Sequence, residues 1–360
     1  MSTSIEASHR PVGSPKRGIP SALVLFFLSP MTAELLSGSS PPTEFFRPFS
    51  LLLLGLLYGS GAILIRELVL RWRKGWPSIF VLGAAYGILE EGLMVKSFFD
   101  PQWMDLGPLG VYGRWAGVNW VWSLGLTIFH TVWSICIPIL LVTLMYPHRA
   151  NEPWVGRRTF RALVGLLLVD VGFGFLALTT YRPPVILYVL AILVVIGLYA
   201  AAWRMPARLR AVASADPVVD RPHGLRYFAA SLAAAVAFFI LLWGVPHTRV
   251  SPLVTMALML LLAGAAWLAL RRVNPASRWD ASHLLALASG ALAFFILLAP
   301  LQELDPAHAV ERRGMALVGL AMALLLVWLG RRTRKLERDG LLPALLSRSQ
   351  PDGVTPGQRR

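Results

Sequence analysis

Apolar runs broken by short polar connections extend along almost the whole chain. A spanning helix needs about 20 mostly apolar residues. Ten segments meet or approach that length: 20–38, 50–70, 77–99, 118–146, 159–180, 184–203, 227–245, 250–270, 283–301 and 314–330. The pattern predicts an all-α fold, a polytopic transmembrane helical bundle of about ten spanning helices. The longest connections are on the order of 20 residues, short of the roughly 50 a folded domain needs, so any chemistry takes place in or at the membrane.

Composition agrees: 56% of residues are hydrophobic and 15% charged, a balance that needs lipid as solvent. A formal charge of +15 would suggest nucleic acid in a soluble chain. Here Lys and Arg sit in short clusters between apolar runs, where they orient helices. No nucleic-acid partner is expected, and membrane lipids are.

One set of connections carries Arg10, Lys16 and Arg17; Arg71, Arg73 and Lys74; Arg149, Arg157, Arg158 and Arg161; Arg204, Arg208, Arg210, Arg221 and Arg226; Arg271, Arg272 and Arg278; and the tail from Arg331. The alternate set carries only Arg47, Arg114, Arg182, Arg249, Arg312 and Arg313. This asymmetry predicts cytoplasmic N and C termini and residence in a plasma (inner) membrane. The basic start followed by Ala22–Leu28 is like a secretory signal, but it lacks an Ala-x-Ala cleavage site, so a retained first helix is expected.

The expected organisation has four parts. Residues 1–17 form a cytoplasmic segment and 18–158 a polar-core module of helices one to four. Residues 159–335 form three hairpins of helices five to ten, and 336–360 a basic, disordered tail. Ala237–Leu242 recurs as Ala293–Leu298, and Trp203, Trp267 and Trp328 close successive hairpins beside arginines. Duplication and convergence on an aromatic–basic interface both produce such a pattern.

Nearly all embedded ionisable groups fall in the first five helices: Glu34, Arg66, Glu67, Glu90, Glu91, Lys96, His130 and Asp170. Each is costly there and needs a partner or a function. Arg66 and Glu67 lie near a helix end, where snorkelling and mutual neutralisation suffice, and Lys96 is expected to reach the headgroups. Glu90 and Glu91 are adjacent, and neighbouring carboxylates in low dielectric resist joint ionisation, so the pair is suited to sharing a proton. Gly83 and Gly87 precede them on much the same face, a small-residue stripe that admits another helix. His130 lies at comparable depth on helix four. The candidate catalytic set is Glu90, Glu91 and His130, with Glu34, Asp170 and Lys96 as further polar-core residues. The single cysteine, Cys136, provides neither a disulfide framework nor a Cys-based metal site, and no metal or cofactor is expected. The loop from Asp100 to Asn119, with Trp103, Asp105, Tyr112, Arg114 and Trp115, reads as a lid over this cluster or as an interfacial aromatic belt.

The residues Gly87-Ile88-Leu89-Glu90-Glu91, with a later helix bearing His130, resemble the CAAX-protease and bacteriocin-processing superfamily of glutamic intramembrane proteases. That superfamily carries Glu-Glu-x-x-x-Arg, then Phe-x-x-x-His, then His-x-x-x-Asn. The resemblance covers helices three and four; Val95 stands at the arginine position and Leu126 at the phenylalanine position. It implies that Glu90 or Glu91 activates water for peptide-bond attack while His130 binds or polarises the reacting groups. Three functions are therefore expected to compete: an intramembrane peptidase acting on a membrane-embedded peptide, a proton- or cation-coupled transporter of a small molecule, and a noncatalytic membrane partner.

Overall fold

The computed structural model describes residues 19–206, 224–273, 281–306, 308 and 310–339. The segment 1–17, Arg208, Arg210, Arg221, Arg278 and the tail from residue 340 lie outside the described residues.

Within the described residues, the helices match the predicted apolar segments in order. They are α1 (Ser21–Leu35), α2 (Pro48–Arg71), α3 (Trp76–Ile88 continued by Leu89–Met94), α4 (Trp120–Met145), α5 (Arg157–Leu178), α6 (Val185–Arg204), α7 (Gly224–His247), α8 (Pro252–Val273), α9 (Ala281–Glu303) and α10 (Met315–Arg338). Eight are long and apolar enough to cross a membrane. The exceptions are α1, which is shorter, and α3, whose two glutamates dilute its apolar run.

Local chemistry sets the starts. Proline opens α2 and α8, its fixed φ suiting the first helical turn. Asn119 caps α4 by accepting from the Trp122 amide at 2.9 Å. Glu303 accepts from the Gly314 and Ala316 amides at 3.0 and 2.8 Å, an anion at the start of α10.

The bundle is built around α4, whose span is 89% buried against 11% for α6 and α8. On one side of α4 the two recurring segments meet: the Phe239 and Phe294 rings stack at 4.3 Å, with Phe238, Phe295 and Trp133 packed around them. At the end of α2, Arg66 is buried. It pairs with Glu67 at 2.6 Å and donates to the carbonyls of Arg149 and Ala150, so it ties down the α4–α5 connection instead of snorkelling.

Two further expectations are corrected. The third helix ends at Met94, not near residue 99, because Lys96 turns the chain with φ 65°. Lys96 is fully buried and its ammonium donates to the carbonyls of Phe175 (2.6 Å) and Thr179 (3.3 Å), closing the C-terminal end of α5 where carbonyls lack helical partners. It reaches neither headgroups nor the carboxylate cluster. Across the 158/159 connection, α5 lies against α2 and α3, and α6 against α3. Ser78 of α3 donates to Ala202 of α6 at 3.1 Å and Tyr188 of α6 to Leu93 of α3 at 2.8 Å.

Candidate functional site

Six helices carry π-helical turns among the described residues, and four of these turns hold the polar cluster. In those four, α-turns widen into π-helical turns at Met31–Leu35 in α1, Gly55–Gly59 in α2, Leu89–Met94 in α3 and His130–Cys136 in α4. These turns carry Glu34, Tyr58, Glu90 with Glu91, and His130 with Ser134. A π turn spends an extra residue without advancing the chain, re-aiming side chains and freeing backbone groups, and such turns recur at functional sites.

Close helix approach makes the meeting possible. A Cβ on Gly83 would stand 3.1 Å from the Thr131 Cα, and one on Gly87 would stand 3.1 Å from the His130 Cβ. The glycine stripe of α3 is thus where α4 lies, and His130 is brought level with the glutamates.

Adjacent residues of an α-helix point about 100° apart, which would send one glutamate away from its neighbour's target. In the wider turn both reach one imidazole. His130 Nδ1 lies 3.2 Å from a Glu90 oxygen and 2.9 Å from Ser134 Oγ, while Nε2 lies 3.1 Å from Glu91. Glu90, Glu91 and His130 are all buried. Tyr58, missed in the sequence, bridges Glu34 (2.5 Å) and Glu90, and Glu34 also accepts from Ser40 at 3.4 Å. On the far side Ser97 donates to Glu91 and accepts from Trp122 Nε1 at 3.0 Å. The result is one continuous array of polar contacts: Ser40, Glu34, Tyr58, Glu90, His130, Glu91, Ser97 and Trp122, hydrogen-bonded at every step but that from Glu90 to His130, which is a 3.2 Å charge contact.

Asp170 is buried on α5 near this array but makes no contact with His130, and Lys96 lies outside it. A signal for Tyr58 was present: Gly55, Gly59 and Gly61 surround it, and a small-residue stretch marks a packed helix face where an aromatic hydroxyl must find a partner. Ser134 stands four residues after His130, one turn along the same face.

The loop after α3 folds back on itself. It forms a short 3-10 turn, Gly107–Gly110, and a hairpin of β1 (Arg114–Trp115) with β2 (Val118–Asn119). Arg114 donates to the Phe99 carbonyl at 3.2 Å, and Asn119 donates to that of Leu109. Asp105 on this loop is open to solvent on one side. Desolvation by the packed loop, reinforced by the Glu91 charge, nevertheless holds its carboxyl above the usual range.

Chemically the array supplies carboxylate acceptors and an imidazole in one dry location. Glu90, Glu91 and His130 each offer one ligand atom, all within 4.8 Å of one another, a spacing a small cation could bridge. Each ring nitrogen already faces a carboxylate, however, an arrangement better suited to holding and passing protons. One Glu90 oxygen, Oε2, is buried without an aligned hydrogen-bond donor, since Nδ1 is directed to Ser134. An open apolar groove of about 500 Å³ between α1 and α10 lies elsewhere, lined by Leu23, Phe27, Met31, Leu325 and Trp328.

The model of an uncharacterized membrane protein family matches residues 23–337, and the chain therefore belongs to that family. No curated protein and no solved structure matches the chain.

Proposed function

We propose that this member of the uncharacterized membrane protein family is a membrane-embedded hydrolase that cleaves an amide bond in a membrane-borne peptide, using Glu90 as general base. The observation that carries this reading is the buried Glu90–His130–Glu91 constellation, in which the Glu90 oxygen 3.2 Å from the imidazole accepts no aligned hydrogen bond. In this reaction Glu90 takes a proton from water as the water oxygen bonds to the carbonyl carbon. The carbon–nitrogen bond then breaks and the proton passes to the leaving amine. Tyr58 orients Glu90 from its other oxygen, while His130, held between two carboxylates, fixes the positions of Glu90 and Glu91. The alternation of basic connections favours cytoplasmic ends and a plasma-membrane location, with the array in the outer half of the bilayer.

The decisive experiment replaces Glu90 and Glu91 by Gln individually and measures folded yield and cleavage of membrane peptides in detergent and in vesicles. Glu90→Gln is expected to fold and to lose turnover by about 10²- to 10⁴-fold, the usual worth of a general base. Undiminished cleavage by Glu90→Gln, or none by the natural protein across a broad peptide set, overturns the reading.

The chain of polar contacts from Ser40 to Ser97 favours a second reading, a proton-coupled transporter, because such arrays relay protons. Proteoliposomes loaded with a pH-sensitive dye test it: flux lost in Tyr58→Phe supports transport, and no flux in the natural protein rejects it. If both activities are absent, the polar residues serve helix packing in a noncatalytic membrane partner.

A further inference from the structure

The groove between α1 and α10 has an apolar length and a basic end. Ile19, Leu23, Phe27 and Met31 line it from α1 at four-residue spacing, and Leu325 and Trp328 line it from α10. From Ile19 to Met31 is about 18 Å at a rise of about 1.5 Å per residue, close to the ~15 Å of one leaflet's hydrocarbon. A helix of that length, about 10 Å across, would fill roughly 1,400 Å³, whereas the open space is about 500 Å³. The groove is therefore the size of a hydrocarbon chain and too small for a helix. An apolar concavity left vacant forfeits dispersion contacts that such a chain restores.

Beyond Trp328 the lining stripe of α10 turns basic. Leu325, Trp328, Arg332 and Lys335 follow one another at spacings of three and four, so they share a face. Contacts tie Arg332 to the groove itself: it donates to the carbonyl of Met145, another lining residue, at 2.6 Å, and its guanidinium lies 5.5 Å from the Trp328 ring. At the same end Tyr146 donates to the carbonyl of Ile19 at 3.0 Å. Among the described residues neither Arg332 nor Lys335 pairs with a carboxylate. Glu337 is engaged by the Ser282 amide at 2.8 Å, and Glu152 faces Arg149 at 3.6 Å. Lys335 is exposed and Arg332 half-buried, with guanidinium nitrogens to spare for the bidentate contact that suits a phosphate.

We propose that this groove binds an anionic phospholipid, with one acyl chain lying along α1 between Ile19 and Met31 and the phosphate held by Arg332 and Lys335. A zwitterionic lipid fills the apolar part equally well. The two unmatched cations choose between lipids, at about fivefold for each basic residue near the headgroups. The site is separate from Glu90, His130 and Glu91, and it stands whether or not the chain hydrolyses peptides.

Native mass spectrometry of the full chain, stripped of lipid in detergent and titrated with phosphatidylglycerol or phosphatidylcholine of identical chains, tests this. Phosphatidylglycerol is expected to bind one site at least about tenfold more tightly. Arg332→Gln combined with Lys335→Gln is expected to bring the two lipids level. Lys335→Gln alone, at an exposed position that does not endanger the fold, is expected to lower the preference about fivefold. Leu23→Trp, which fills the groove, is expected to weaken both lipids. Equal binding of the two lipids by the natural protein overturns the proposal, as does an undiminished preference in Lys335→Gln or in the folded double variant. Phosphatidylglycerol binding untouched by Leu23→Trp overturns it too, because the headgroup is then held without the groove. A two-chain species that Leu23→Trp abolishes would make the groove an interface between copies and likewise overturn the lipid site.

Discussion

Phe129 and His130 are neighbours in sequence and belong to different environments. Phe129 stacks on Trp133 at 5.5 Å and meets Phe239 and Phe295, so this face of α4 is held by aromatic area shared with α7 and α9. His130 faces the π turns of α1, α2 and α3, where position is fixed by pairwise hydrogen bonds. Aromatic packing is distributed and tolerates an exchange of similar volume. A buried charge array is not tolerant, since removing one partner strands the others. The two faces of one helix should therefore respond differently to equally small changes.

The largest expected effect is on the polar face. His130→Phe keeps a ring but leaves two carboxylates without their imidazole, and should cost about 3–5 kcal/mol. Thermal unfolding in detergent checks this; an unchanged midpoint would mean that both carboxyls are satisfied without His130. Tyr58→Phe removes one hydroxyl that serves Glu34 and Glu90, with an expected loss of about 1–3 kcal/mol by the same measurement. On the aromatic face Phe239→Leu should cost less than about 1.5 kcal/mol despite touching more residues. If it proves worse than Tyr58→Phe, the contrast between the faces is wrong. The smallest effect belongs to the loop. Because desolvation raises the Asp105 carboxyl, its charged form is disfavoured in the folded protein. Asp105→Asn should thus stabilise slightly at neutral pH, the gain shrinking as pH falls and the natural side chain takes up its proton. A gain that grows toward acid would contradict the assignment.

The same contrast separates the features legible in the sequence from those that were not. The ten helices could be read because apolar length is a property of each segment alone, and the charge alternation checks one segment against the next. Glu90, Glu91, His130 and Glu34 stood out because ionisable residues are rare in apolar runs. Tyr58 did not, since tyrosine is ordinary at membrane interfaces, and its role depends on Glu34 and Glu90 from two other helices. The reversal at Lys96 was hidden too, because a long cationic side chain near a helix end fits both a snorkel and a carbonyl cap. The π turns left no mark on hydropathy: an extra residue in a turn re-aims the rest of the helix without altering how apolar the segment is.

Each π turn can be regarded as a single residue accommodated in an otherwise regular helix. Deleting one, such as Gly92, would leave α3 a helix of nearly the same apolar length, yet rotate everything beyond it by about 100°. Ser97 and the start of the following loop would swing away from Glu91 while insertion into the bilayer carried on. In this protein, then, the count of residues between Ile88 and Lys96 works as a setting that composition does not record: two chains could match in every apolar segment and differ in whether the array closes at all.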